Sequence, residues 1–328
     1  MNICFVYVDL STFVKRDLEI LRKHFNVKPV KWTTFWDFKM ILSLIRAILT
    51  SDLCFIWFAD FHAAFTVLLS KTLCRKSVVV VGGYEVAKVP EIGYGAMLRP
   101  RSAHIVRYVL GNADKILAVS EFNKKEVLKY TNSKNVELVY NGVDCKKFKP
   151  NGEKEDLVIT VAHSISDITT KIKGLETFIK AAKYLPDTKF IVVGKYLNNL
   201  IEYLKAQASP NVEFLEFIPN EDLIKLYQKA KVYCQLSYRE SFGMALAEAM
   251  ACECIPVVTN RGAIPEVVGD VGYYVPYGDP KATAEAVKKA LESDQSKGKM
   301  ARERIKKYFS IERREKELVS IVKQVLES

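Results

Sequence analysis

The chain contains no run of the roughly 18 uncharged apolar residues that a membrane-spanning helix requires. Its most apolar region, residues 40–74, is broken by Arg46, Asp52, Asp60, His62 and Lys71. Strand-like patterning begins at residue 3, so no signal peptide is expected. Cysteine is sparse and shows no pairing pattern: seven residues, an odd number, with no Cys-x-x-Cys spacing. That argues against a disulfide framework. Cys252 and Cys254 form one short pair with no second pair at a suitable distance, which argues against zinc. Most of the cysteines sit in apolar settings, as expected of reduced thiols in a cytoplasm. No Asp-x-Asp motif occurs, so the paired carboxylates that usually hold a hard cation are missing and no metal is expected. Short-period repeats and low-complexity tracts are absent as well.

Against these absences stands a globular composition, 49% apolar and 27% charged. A length of 328 residues fits about two domains. Charge is placed unevenly. Residues 1–150 carry 23 Lys and Arg against 13 Asp and Glu, whereas residues 151–328 carry 26 against 25. Nearly all of the formal +11 therefore belongs to the first half. A one-sided basic field points to an anionic partner or serves solubility alone. The basic residues lack interleaved aromatic stacking platforms, so nucleic acid is not the expected partner.

Strand and helix patterns alternate throughout. Apolar or β-branched runs at 3–8, 53–57, 78–81, 115–119 and 136–139 are separated by helical patterns such as 14–24, 38–49 and 121–130. A polar linker is expected at 144–156, after which the alternation restarts at 157–161. Continuous apolar strands between helices indicate parallel sheets covered on both faces. The fold class is therefore α/β, with two Rossmann-like domains, 1–150 and 151–310, facing across a cleft. Residues 281–328 read as charged amphipathic helices. In such sheets ligands bind beyond the carboxyl ends of strands. Three segments hold that position: Gly82-Gly83-Tyr84-Glu85, the loop 163–174, and residues 237–243.

The most informative segment is 240–248, which places Glu240 and Glu248 around a small-residue helix start. Ser241 is the expected N-cap. Glu240 then lies in the loop, and Glu248 about two turns into the helix. The amides of Phe242, Gly243 and Met244 would point at a bound anion. Gly243, lacking a Cβ, lets a ligand approach the backbone. Two hydroxyl-accepting carboxylates around an anion-binding helix end suit a sugar nucleotide. A surface Glu, a structural cap and a core Glu paired with a basic residue would give the same spacing.

Several ordered motifs resemble the retaining glycosyltransferases of family 4, which have the GT-B fold. They are Asn141-Gly142-Val143-Asp144 with Phe148 and Pro150, Lys173-Gly174, Leu226-Tyr227, Glu240-Ser-Phe-Gly with Glu248-Ala-Met, Pro256-Val257-Val258 and Pro265-Glu266. Ala113-Asp114 and Val119-Ser120-Glu121 add to the set. Residues 110–280 carry the match most fully. The resemblance implies a nucleotide-sugar donor, a hydroxyl acceptor, metal-independent hexosyl transfer and a terminal helix, 311–328, that crosses back to the first domain. Glu248 would hold the donor ribose. Glu240 would sit near the sugar, with Ser241, Phe242, Gly243 and Met244 close by. Lys173 would neutralise the leaving diphosphate, and Phe217 and Ile218 would face the base.

The chain departs from the family pattern in three places. The Arg that usually precedes the lysine is missing, leaving Lys171 or His163 as the second phosphate contact. A His-Gly pair often follows the fourth strand; here Gly82 and Gly83 stand there, with Glu85, and His62 is a possible replacement histidine. The glycine-rich turn after the first strand is replaced by residues 9–16, where Ser11, Lys15 and Arg16 are the acceptor-side candidates. A lipid-linked acceptor, such as a cell-surface glycan precursor, agrees with the basic first half. So does a peripheral position on the inner face of an anionic membrane. Trp36, Phe38, Ile41, Leu42, Ile45 and Leu49, beside Lys39 and Arg46, form either a membrane face or the core face of a Rossmann helix. The rival functions are a sugar-nucleotide epimerase or a phosphorylase on the same fold, and a non-catalytic protein that only binds sugar nucleotides.

Overall fold

The computed structural model describes residues 1–132 and 134–327. It divides into two compact units, Met1–Gly142 with the chain from Glu312 onward, and Val143–Ile311. The first unit runs β1 (Asn2–Tyr7), α1 (Thr12–His24), β2 (Asn26–Lys31), α2 (Phe38–Leu49), β3 (Leu53–Trp57), α3 (Phe61–Thr72), β4 (Lys76–Val81), α4 (Pro100–Asn112), β5 (Lys115–Ala118), α5 (Glu121–Leu128) and β6 (Val136–Leu138). The second continues with β7 (Glu155–Ile165), α6 (Asp167–Lys173), α7 (Leu175–Ala182), β8 (Lys189–Tyr196), α8 (Leu200–Gln207), β9 (Val212–Leu215), α9 (Asn220–Lys229) and β10 (Ala230–Gln235). Then follow α10 (Met244–Ala251), β11 (Ile255–Thr259), α11 (Ile264–Val268), β12 (Tyr273–Val275), α12 (Pro280–Glu292) and α13 (Ser296–Tyr308), and finally α14 (Ile311–Glu327), which belongs almost wholly to the first unit.

Each unit holds one six-stranded sheet whose neighbouring strands all pair in parallel. The first has the order β2-β1-β3-β4-β5-β6, the second β12-β11-β10-β7-β8-β9. Central strands such as β3 are buried at every residue, which is why their sequences are continuously apolar. β2 lies at an edge, where Pro29 removes no ladder bond from a second neighbour. Strand order reverses between β1 and β3 in one sheet and between β7 and β10 in the other. These are topological switch points, where diverging crossovers open a crevice beyond the strand ends.

Residues 143–150, assigned from sequence to the first domain, pack in the second unit. The Val143 amide donates to the Phe309 carbonyl at 2.8 Å, and the Ile311 amide to the Val143 carbonyl at 2.9 Å. Phe148 is buried against Tyr227, and Arg302 donates to the carbonyls of Cys145 and Phe148. The segment 144–156 is thus largely held by side chains of unit two rather than spanning freely. In the first unit, Arg314 of α14 grips Asp17 of α1 with two bonds of 2.6 Å, both side chains being fully buried. Trp57 Nε1 also donates to Asp17, and Arg314 donates to the carbonyls of Val139 and Tyr140. Among the described residues no helix is long and apolar enough to cross a membrane.

Candidate functional site

The second unit's switch point brings Lys173 and Glu240 together. β7 ends at Ile165, Ser166 caps α6 through a 3.3 Å bond to the Thr169 amide, and Lys173 is the last residue of that helix. The expected loop 163–174 is therefore a strand extension and a short helix. Gly174 follows with φ +65; a Cβ there would meet the Leu236 carbonyl at 2.2 Å, so only glycine lets the two chains approach so closely. Tyr238 N donates to the Ile172 carbonyl at 2.7 Å, tying the loop after β10 to α6.

Lys173 Nζ donates to Glu240 Oε1. The same oxygen accepts from Gln235 Nε2 at 2.9 Å and Ser237 Oγ at 3.0 Å. Tyr233 OH donates to Gln235 Oε1 at 3.1 Å. Tyr233, Gln235 and Ser237 are buried, so Glu240 is fixed by a polar chain running up from β10. Sequence reasoning missed this chain. Its one signal was a glutamine closing the buried end of β10. Burial pushes the Tyr233 phenol well above its ordinary value, and the charges of Glu240 and then Glu248 add to the effect. The Tyr227 phenol is also driven up, first by burial and then by Tyr233 and Glu248.

α10 begins at Met244 with Gly243 as its cap at φ +97, not at Phe242 with Ser241 as cap. The left-handed glycine turns the chain, so Ser241 stays in the loop. The first-turn amides belong to Met244 and the residues after it. Glu248 lies one turn, about 6 Å, beyond Met244 and is 8% exposed. Phe242 is buried edge-on against Phe309. Gly262 backs the Glu240 loop; a Cβ there would meet the Glu240 carbonyl at 2.4 Å, and the Ala263 amide donates to that carbonyl.

Other donor-side candidates lie apart from this network. His163 and Lys171 are exposed, and the Lys171 carbonyl accepts from Tyr277 OH at 2.7 Å. The Arg261 guanidinium stacks 4.3 Å over Tyr238 and 5.2 Å over Tyr277. Phe217 is 74% exposed, which removes core packing as its explanation, and Ile218 is half-buried.

In the first unit, Glu85 gathers the loops after β3 and β4. Its carboxylate accepts from the amides of Ala59 at 3.1 Å, Gly82 at 3.0 Å and Gly83 at 2.7 Å. Burial raises its pKa above the ordinary carboxylate value. A Cβ on Gly82 would strike the Phe58 ring at 2.5 Å, so that turn requires glycine. Phe13 of α1 packs on the same Phe58 ring. His62 does not reach solvent: it is buried in α3, its Nε2 hydrogen-bonded to the Trp57 carbonyl at 2.7 Å, and burial lowers its pKa. It is a core residue, not a replacement for the missing histidine. Ser11 precedes α1 without capping it, Lys15 is exposed 3.9 Å from Glu19, and Arg16 donates to the Gly142 carbonyl. Among the described residues no three His, Cys, Asp or Glu side chains are grouped as metal ligands would be.

The profile of the family described as Glycosyl transferases group 1 matches residues 144–308, and that of Glycosyltransferase Family 4 matches residues 9–147. The chain is 25% identical to O-antigen chain mannosyltransferase B of Escherichia coli over 205 residues, 56% of this chain and 53% of that protein. It is 28% identical to the capsular polysaccharide biosynthesis glycosyltransferase CapM of Staphylococcus aureus over 228 residues, 60% of this chain and 58% of that protein. The matches thus span little more than half the length of these curated relatives. Anabaena Alr3699/HepE, solved in complex with UDP, superposes with a TM-score of 0.83 at 15% identity, covering 99% of this chain and 100% of that one. The two parallel α/β sheets are those of the GT-B fold.

Proposed function

The chain belongs to the glycosyl transferases of group 1, and from that membership we propose that it moves a hexosyl group from a nucleoside diphosphate sugar to a hydroxyl acceptor with retention at the anomeric carbon. The observation that carries this is the Lys173–Glu240 pair at the switch point of the second unit. Glu240 keeps two further donors, Gln235 and Ser237, so Lys173 can turn to a diphosphate without leaving a bare carboxylate. Lys173 and the first-turn amides of α10 then meet the charge that grows on the leaving phosphate. Glu240 takes sugar hydroxyls, Glu248 takes the ribose, and Phe217 with Ile218 offers the base an exposed apolar contact. The leaving phosphate helps to accept the acceptor proton on the same face. No side chain is assigned as a nucleophile, and no metal is assigned to the step. Relatives named for O-antigen and capsular polysaccharide synthesis support a surface-glycan precursor as acceptor, and the basic first half suits one carried on a lipid. The loops gathered by Glu85 are its place in the first unit. A cytoplasmic protein peripheral to the inner membrane face fits that acceptor.

Thermal-shift screening against a panel of nucleoside diphosphate sugars tests the reading. A specific hit is expected to vanish in Glu248→Ala and weaken in Lys173→Ala. Equal stabilisation of the Glu248→Ala protein would remove the ribose from this pocket. Donor consumption without acceptor would favour an epimerase.

A further inference from the structure

We propose that the outward face of α2 and α3 is a membrane-docking surface, seated on an anionic bilayer with Trp36 and Phe38 in the acyl boundary. It rests on the peripheral membrane position of the proposed function and names the surface that would make the contact.

α2 has two apolar faces where a core helix needs one. Met40, Leu44, Ala47 and Ile48 are buried against the sheet. Phe38, Leu42 and Leu49 point outward, 81%, 48% and 48% exposed, with Ile45 half-buried between them. Of the stripe read from the sequence, Ile41 packs against the core, while Phe38, Leu42 and Leu49 face outward. The preceding loop adds Trp36, 78% exposed, and Phe35; α3 adds Phe61 and Leu68. Phe35 joins the loop to α3, its ring 6.0 Å from Trp36, 5.8 Å from Phe61 and 5.6 Å from Phe65. Contiguous exposed aromatics of this kind mark a surface that is covered in use.

Charge selects the cover. Lys39 and Arg46 lie one heptad apart on the exposed side of α2, and Lys31 is exposed at the end of β2. Between residues 31 and 49 the one acidic residue is Asp37. Its carboxylate is engaged with the Met40 amide at 3.0 Å and Thr33 Oγ1 at 2.9 Å. Asp60 likewise caps α3 through the Phe61 amide. What remains outward is a row of aromatic and aliphatic groups edged by cations. That is the chemistry of an interfacial helix on anionic lipid. Two copies meeting through this face would bring the same cations together.

The test is flotation of the full chain with vesicles of phosphatidylcholine, alone or with about one-third phosphatidylglycerol. Wild type should float with the anionic vesicles, less with the neutral ones, and less again in high salt. Trp36→Ser with Phe38→Ser should weaken partitioning by at least about tenfold, and Lys39→Glu with Arg46→Glu should abolish the preference for anionic lipid. Near-ultraviolet circular dichroism and donor-induced thermal shift, both independent of lipid, report whether the variants fold and whether the donor reading stands. Wild type left at the bottom of the gradient would overturn the proposal, as would equal flotation of the Trp36 and Phe38 variant. So would a dimer in sedimentation velocity that the same variant dissolves.

Discussion

At the scale of single residues, the informative event is that Lys173 and Glu240 meet. They are 67 positions apart, and no local periodicity links them, so their contact is a product of the β7–β10 pairing. Each was legible alone as a charged group after a strand; their partnership was not. Gln235 is the residue that lets the partnership loosen. With Gln235→Leu, Glu240 loses a charge-assisted bond and leans harder on Lys173, holding the cation away from the diphosphate. A hydrogen bond to a charged group contributes about 1.5–3 kcal/mol, so kcat/KM should fall roughly tenfold to a hundredfold. Because Gln235 acts through Glu240 and Lys173 and not on the nucleotide, donor-induced thermal stabilisation should weaken no further than in Lys173→Ala while kcat drops. Steady-state transfer and thermal shift on the same preparation separate the two. Loss of donor binding with kcat intact would give Gln235 a different role.

At the scale of elements, interiors were read better than ends: α2 was bounded correctly at 38–49, but β7 runs Glu155–Ile165 where 157–161 was expected. β3 was bounded correctly because five consecutive apolar residues buried on both faces leave no other assignment. α10 was started two residues early, since the sequence shows a serine but not that Gly243 adopts φ +97 and takes the cap position itself. α6 was taken as loop, although Ser166 and Thr169 hold a recognisable capping spacing. The placement of α14 was expected from family resemblance alone. Its physical basis is Arg314, whose fork meets Asp17 at 2.6 Å on both nitrogens. A buried pair broken from one side leaves an uncompensated charge, at a cost of about 3–5 kcal/mol. Arg314→Ala should therefore lower the unfolding free energy of the first unit by that amount in urea titrations followed by circular dichroism. Arg314→Lys should fall between the two, retaining charge but not the bidentate geometry. A loss under about 1 kcal/mol, typical of exposed pairs, would mean that α14 is held by its apolar side, Leu318, Ile321, Val322 and Val325.

At the scale of the whole molecule, the question is which charges balance a diphosphate. The chain has 49 Lys and Arg, 38 Asp and Glu, and no Asp-x-Asp sequence. A cation-dependent site would need carboxylates collected around the metal, and a hard divalent ion takes several oxygen ligands at once. The carboxylates nearest the proposed phosphate position are otherwise engaged: Glu240 with Lys173, Gln235 and Ser237, and Glu248 within the buried side of α10. The compensating charge on this reading is the protein's own, Lys173 together with the helix terminus at Met244. Transfer should then continue in excess EDTA at the untreated rate, and added Mg²⁺ or Mn²⁺ should leave kcat unchanged. The same assay on Lys173→Ala supplies the contrast, because a site that relies on this ammonium should lose at least about a hundredfold in kcat, the scale of removing one preorganised charge-stabilising group. If EDTA silenced the wild type and Mn²⁺ restored it, the diphosphate would be carried by a metal, and Glu240 would have to leave Lys173 to bind it.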